Sequence, residues 1–263
     1  MNGLFRPIDT TNGLKLLGER NSGTNLLTGL LTQVPNLKLF PSTPLLRQRD
    51  MPLYRRPWTA PLVYKAAHEA TLDDWHLRDL PQTGGWKHAA PDAAFLKQFL
   101  EEFTPAVLII LRHPAVWLRS MHRNPFHALN PVPRDFSKFI RQEWLCVGRD
   151  SLERRILPNL PHLQAAKANA YSNLLSQYPN SSLIRYEDLA SDPTGTLAKI
   201  GVALPPRTEL PGNDARGFAR RQSSGTDYAA AARQARFDLL SPADAAFTRE
   251  AQADSPLSAI YQT

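Results

Sequence analysis

Apolar residues along this chain fall into two alternating kinds of run. Leu14–Leu17 is a short strand-like run that stops at Gly18. Ala106–Leu111 is continuous and β-branched at Val107, Ile109 and Ile110, as a strand covered on both faces should be. Ser182–Arg185 is a third strand segment, and Leu62–Lys65 and Gly85–Lys87 are shorter strand candidates. Between them the spacing becomes helical. Leu26, Leu27, Leu30 and Leu31 share one face of a helix over Asn25–Leu31, and Phe95, Leu96, Phe99 and Leu100 do so over Ala93–Phe103. Helices are also predicted after Pro114 (through Val116, Trp117, Ser120 and Met121), over Leu163–Tyr178, over Thr194–Ile200 and over Ser241–Gln252. Strands alternating with helices predict an α/β fold with a central parallel sheet flanked by helices.

Punctuation changes this picture little. The 23 prolines crowd most densely between Pro35 and Pro61, where they forbid a long helix. Loop-rich excursions are expected near 35–61, 124–134 and 204–217, and none reads as a flexible linker, so residues 1–263 are expected to form a single domain. Met1–Thr10 has no apolar h-region, and the longest apolar run is far short of a membrane span, so neither secretion nor membrane insertion is expected. The single cysteine, Cys146, excludes an intrachain disulfide and a cysteine-based zinc site, and fits a reducing, cytoplasmic setting.

Charge points to an anionic partner. Lys and Arg number 31 against 24 Asp and Glu, a net charge of +7. No block of five or six like charges forms a nucleic-acid-binding arm, so the excess favours an anion site within the fold and no nucleic-acid partner is expected. The best local candidate is Gly18-Glu19-Arg20-Asn21-Ser22-Gly23-Thr24-Asn25, a loop of small polar residues between a strand and an amphipathic helix. The helix start there leaves backbone N–H groups without partners, and they favour a bound anion. Arg20 would add a cation, and Ser22, Thr24 and Asn25 side-chain donors; the bland alternative is an ordinary helix cap. The glycine-lysine pattern of a Walker A loop is missing, which disfavours an ATPase or GTPase. Arg112 ends the most apolar strand, where ligands of open α/β sheets bind, and Ser120 follows about two helical turns later.

Asn21-Ser22-Gly23-Thr24, then Arg112-His113-Pro114 with Ser120, then Tyr186-Glu187-Asp188-Leu189 ahead of Pro193, together resemble the sulfotransferases that use 3′-phosphoadenylyl sulfate (PAPS). Three motifs in that order span Leu14 to Ile200, and the likeness is to a bacterial branch of the superfamily. The resemblance implies a three-layer fold like the P-loop kinases and transfer of a sulfuryl group to a hydroxyl or amine acceptor by in-line displacement, leaving PAP, with no metal required. It implies that Arg20, Asn21, Ser22, Gly23, Thr24 and Asn25 cradle the 5′-phosphosulfate, that Arg112 and Ser120 hold the 3′-phosphate, and that Tyr186 borders the nucleotide. Trp86-Lys87-His88 occupies the family's place for a histidine base and a basic residue, so His88, Lys87 and Arg20 are the candidate catalytic residues. His68 and Lys65 are the rivals.

The sequence departs from the family in three places. Asn21 stands where Lys or Arg usually precedes Ser-Gly-Thr, Lys87 and His88 lack the usual spacer, and the C-terminal Arg-Lys-Gly element is replaced by Arg220-Arg221-Gln222. The acceptor, a carbohydrate or small alcohol, would meet the three excursions and their aromatics Phe40, Tyr54, Trp58 and Phe126. A small-molecule or nucleotide kinase of the same fold and a non-catalytic polyanion or nucleic-acid binder are the alternatives. The oligomeric state is not legible.

Overall fold

Three apolar segments that lie far apart in the chain pair side by side. The computed structural model describes residues 5–42, 62–90, 96–125, 128–211, 232–233 and 235–261. Strands β1 (Leu14–Gly18), β2 (Ala106–Leu111) and β5 (Ser181–Arg185) form a parallel sheet in the order β1-β2-β5. A separate antiparallel pair, β3 (Trp144–Leu145) with β4 (Ile156–Leu157), has no counterpart in the sequence expectations.

Helices α1 (Thr24–Leu31), α2 (Leu62–Arg78), α3 (Leu80–Thr83) and α4 (Lys97–Phe103) lie between β1 and β2 in the chain. Next come α5 (Pro114–Arg123) and α6 (Phe136–Arg141), then α7 (Leu160–Gln177) before β5, then α8 (Tyr186–Ser191), α9 (Pro193–Ala198), α10 (Pro242–Ala251) and α11 (Pro256–Ile260). Asn159, Asp192 and Ser241 start α7, α9 and α10 by accepting a first-turn amide, each just ahead of a proline in the first turn.

All six residues of β2 are at most 2% exposed, so both faces of the sheet are covered. Leu108 and Ile110 point to one face, onto Leu27 and Leu30 of α1, Leu189 of α8 and Leu197 of α9. Val107, Ile109 and Leu111 point to the other, onto Phe99 of α4, Tyr171 and Leu174 of α7 and Leu257 of α11. This alternation on a strand without polar breaks makes the helix–sheet–helix layering expected of the α/β class. A further cluster joins Trp117 and Met121 of α5 to Phe139, Trp144 and Leu163. Among the described residues no helix is long and apolar enough to cross a membrane.

Two short strand expectations are corrected. Leu62–Lys65 opens helix α2, because a four-residue segment with three apolar residues does not fix its own period and the helix-forming stretch after it does. Gly85–Lys87 is irregular because Gly84 and Gly85 both have positive φ, 65° and 75°, which breaks an extended run before it begins. The predicted helix from Ala93 is described from Lys97 onward; Ala93 and Phe95 lie outside the described residues.

The register sets up the site. Gly18 lies opposite Ile110, and Leu111 opposite Arg185, so the carboxyl ends of all three strands reach one edge of the sheet. The segments that leave them, 19–23, 112–113 and 186 onward, start there together.

Candidate active site

The loop after β1 is folded by its own backbone. The Ser22 amide donates to the Glu19 carbonyl at 3.1 Å, and the Ser22 hydroxyl donates to the same oxygen. Asn21 takes a left-handed φ of 61°, which asparagine tolerates better than most residues with a side chain. Its Nδ2 donates to Asn124 O and to Met121 Sδ, both at 3.0 Å, tying the loop to the end of α5. Gly23 precedes α1 at φ 95°, and a Cβ there would stand 2.3 Å from Tyr186 Cδ2. Glycine therefore lets the Tyr186 ring lie directly on the loop. Gly23→Ala is expected to cost about 2–4 kcal/mol through backbone strain and the ring clash, read as a lower urea midpoint at unchanged slope.

Helix α1 has neither a side-chain cap nor an acidic residue in its first turn. Its first N–H groups therefore have no side-chain acceptor from the cap, and they and the helix dipole would favour an anion placed there. Thr24 is buried and Asn25 exposed at this end.

Three chain segments converge on the loop. Arg112 donates from Nη1 to the Asn21 carbonyl at 2.7 Å, and its guanidinium lies 4.2 Å from the centre of the Tyr186 ring. Its Nε is buried without a hydrogen-bond partner. The Arg112 backbone is held on both sides: its carbonyl accepts from Gln164 Nε2 at 2.8 Å, and the next amide, His113 N–H, donates to Glu187 Oε1 at 2.9 Å. The other Glu187 oxygen accepts from the Tyr261 hydroxyl at 3.3 Å. Ser120 is half-buried on α5, and its carbonyl accepts from the Asn124 amide beside the Asn21 contact.

The Trp86–His88 segment closes the other side. Lys87 Nζ donates to Asn25 Oδ1 at 2.7 Å, and the Lys87 carbonyl accepts from the Gly18 amide at 2.8 Å. His88 Nδ1 lies 2.7 Å from the Gly18 carbonyl oxygen. That oxygen only accepts, so Nδ1 carries the proton and Nε2 the lone pair. Burial, then the charge of Lys87, push the His88 pKa well below 6.5; the bond to Gly18 opposes them, and the charges of Arg20 and Lys167 add to them. The ring is therefore neutral at physiological pH, with a fixed tautomer.

Arg20 is placed differently from the expectation. It is 1% exposed, its Nε donates to Glu19 Oε1 at 2.7 Å, and its Nη2 lies 3.2 Å from Asp150 Oδ1. Lys167 Nζ meets the same Asp150 oxygen at 2.5 Å, pairs with Glu19 Oε2 and donates to the His88 carbonyl at 2.6 Å. A four-membered ionic cluster thus sits beneath the loop, and the guanidinium of Arg20 points into it, because two carboxylates lie below the loop. Trp86 lies against this cluster: Arg20, Lys167 and Arg149 stand 5.5, 5.8 and 4.5 Å from its ring, and His88 packs edge-on at 4.9 Å. Arg149 is in turn held by Glu69 and Asp73 of α2.

Glu19, Asp150 and Lys167 were not among the expected site residues. One signal was available: Lys167 falls on the apolar stripe of its helix, four residues after Leu163 and four before Tyr171. Asp150 gives none. Of the rivals, Lys65 donates to the Ala128 carbonyl and His68 lies on α2, while the contacts to the loop come from Lys87 and His88. Phe40 is buried edge-on against Phe99 at 4.9 Å, a core contact in place of an exposed stacking surface. Tyr54, Trp58, Phe126, Arg220 and Arg221 lie outside the described residues.

No family model and no curated protein matches the sequence. Among solved structures, the chain is similar to mouse sulfotransferase SULT7A1 complexed with PAP, at 14% identity and a TM-score of 0.39 over 88% of this chain and 67% of that one. It is also similar to a sulfotransferase from Alicyclobacillus acidocaldarius, at 17% identity and a TM-score of 0.41 over 80% of this chain and 87% of that one.

Proposed function

We propose that the chain is a sulfotransferase that takes the sulfuryl group from PAPS and passes it to the hydroxyl or amine of a small molecule or glycan. The observation that carries this reading is the meeting of Lys87, His88, Arg112 and Tyr186 on Gly18–Asn25, four side chains from three distant segments around one uncapped helix start. Such an arrangement suits a ligand with anionic groups at two ends. The first amides of α1, with Lys87 beside them, suit the phosphosulfate; Arg112, whose Nε lacks a partner, and Ser120 suit the 3′-phosphate. Arg20 is left out of this set, since both of its carboxylate partners are internal.

In the proposed reaction a bond forms between the acceptor oxygen and sulfur while the bond from sulfur to the 5′-phosphate oxygen breaks. The acceptor proton passes to His88 Nε2, and PAP leaves. Charge building on the leaving phosphate is met by the α1 amides and Lys87, electrostatic help that is in place before the reaction starts.

Calorimetry with the purified chain tests the reading. PAP should bind in the micromolar range or tighter, and more tightly than ATP with Mg²⁺. Arg112→Met should weaken PAP at least tenfold, the loss of about 1.4 kcal/mol of charge-assisted hydrogen bonding. Absence of PAP binding, or a preference for ATP with Mg²⁺, overturns it, and steeply salt-dependent binding to DNA that PAP does not displace favours a polyanion binder instead.

A further inference from the structure

Lys15 is a charged residue in the middle of the first core strand, fully buried at 0% exposure. Its ammonium carries three N–H donors, and each finds a backbone carbonyl: Pro41 O at 3.1 Å, Thr83 O at 2.6 Å and Gly85 O at 2.5 Å. Two of these oxygens belong to one turn. Gly84 and Gly85 both have positive φ, and that double left-handed step carries the chain from the first of the two carbonyls to the second. Side chains at these positions would be strained, and a Cβ at Gly84 would also stand 2.6 Å from Phe99 Cε1.

The turn leads directly into Trp86, Lys87 and His88. From Lys15 the same strand runs on three residues to Gly18, whose amide and carbonyl take the Lys87 carbonyl and His88 Nδ1. The segment 83–88 therefore hangs from β1 at two heights, by the Lys15 side chain below and by the Gly18 peptide above. We propose that Lys15 is a positioning residue that sets the place of Lys87 and the orientation of the His88 ring, an inference that rests on the sulfuryl-transfer reading only for its effect on turnover.

An apolar strand residue would serve the core equally well by burial alone. A buried ammonium is costly to desolvate, and here three carbonyl acceptors offset that cost. Burial first, then the charge of Lys87, pushes the Lys15 pKa down to about 7. Lys87 is the charged neighbour that acts on the Lys15 ammonium. The three hydrogen bonds of Lys15 go to Pro41, Thr83 and Gly85, so its influence on the proposed anion site runs through Lys87, while the first turn of α1 and Arg112 receive none of them.

The test compares Lys15→Met with the wild type, using ¹⁵N-histidine spectra of the chain below its melting temperature together with PAP calorimetry and turnover. In the wild type the spectrum should show one His88 tautomer, protonated at Nδ1. In Lys15→Met the two tautomers should be averaged and turnover lowered at least tenfold, while PAP, which keeps Arg112 and the α1 amides but meets a displaced Lys87, weakens by less than turnover falls. A merely destabilising substitution lowers the melting temperature without changing the tautomer. Should Lys15→Met fail to fold, Gly85→Ala displaces one of the three carbonyls with Lys15 in place, and the same change of tautomer is expected. A wild-type His88 spectrum in the folded variant overturns the inference. Failure of the wild type to bind PAP would overturn the functional reading alone, because the tautomer comparison needs no nucleotide.

Discussion

His88→Asn is expected to lower turnover by about 10²–10⁴-fold while leaving PAP affinity within about twofold. Asparagine keeps the bond that matters for structure: its Nδ2 replaces Nδ1 as donor to the Gly18 carbonyl, 2.7 Å away in the parent. It removes only Nε2, the lone pair that would accept the acceptor's proton. The wild-type pH profile carries a second signature. Burial first, then the charges of Lys87, Arg20 and Lys167, hold the His88 pKa well below 6.5. The base form therefore persists through neutral pH, and activity should fall only as the pH drops below 6.5 and through that lowered value. Stability has the same sign, since the unfolded chain takes up a proton near pH 6.5 that the folded chain refuses. A rate set by an unperturbed histidine, or turnover retained in the variant, would remove His88 from the chemistry.

Lys167→Met is expected to destabilise the fold by about 3–5 kcal/mol, seen as a urea midpoint shift and a melting temperature lower by roughly 10 °C or more. Glu19, Arg20, Asp150 and Lys167 are each at most 2% exposed, so their charges answer to one another and not to water. Burial opposes ionisation of Asp150, yet Arg20 and Lys167 hold its pKa below the usual carboxylate value. Methionine fills most of the lysine volume and takes away the charge, which leaves two carboxylates to one guanidinium. Adding Asp150→Asn to Lys167→Met should recover part of the loss by removing one stranded charge, a coupling that a double-mutant cycle measures. A single variant within 1 kcal/mol of the wild type would mean that the cluster is not energetically bound together.

The part of this architecture legible in the sequence is the part governed by local pattern. Ala106–Leu111 has no polar break and could be placed with both faces covered, and Leu14–Gly18 and Ser182–Arg185 followed from their punctuation. The loop 18–25 and Arg112 stood out by their small polar residues and strand-end cation, whereas Lys87, His88 and Tyr186 stood out only through the resemblance to PAPS-dependent sulfotransferases; the structure brings all of them to one loop. Direction was not legible. Arg20 sits in the middle of the loop, and only the positions of Asp150 and Lys167, more than a hundred residues downstream, decide that it points inward. Lys15 was hidden for the opposite reason: its three acceptors are backbone carbonyls, which every sequence has, and only the fold brings them to one point. The short runs at Leu62–Lys65 and Gly85–Lys87 failed as strands because a few residues cannot reveal a period.

The sheet order has a consequence for how the protein comes into being. β1 pairs with β2 across residues 14 to 106, and β2 with β5 across 107 to 181, so the Arg112 and Tyr186 contacts to the loop each wait on a distant partner. Such pairings are slow to form because long loops must close before any contact rewards them. During synthesis, the loop at 18–25 emerges early, gains Arg112 against Asn21 only after β2 has emerged, and gains Tyr186 upon Gly23 only after the third strand has left the ribosome. On the proposed reading, a chain truncated before Ser181 would carry the most recognisable motif of the sequence without the Tyr186 ring that packs on it.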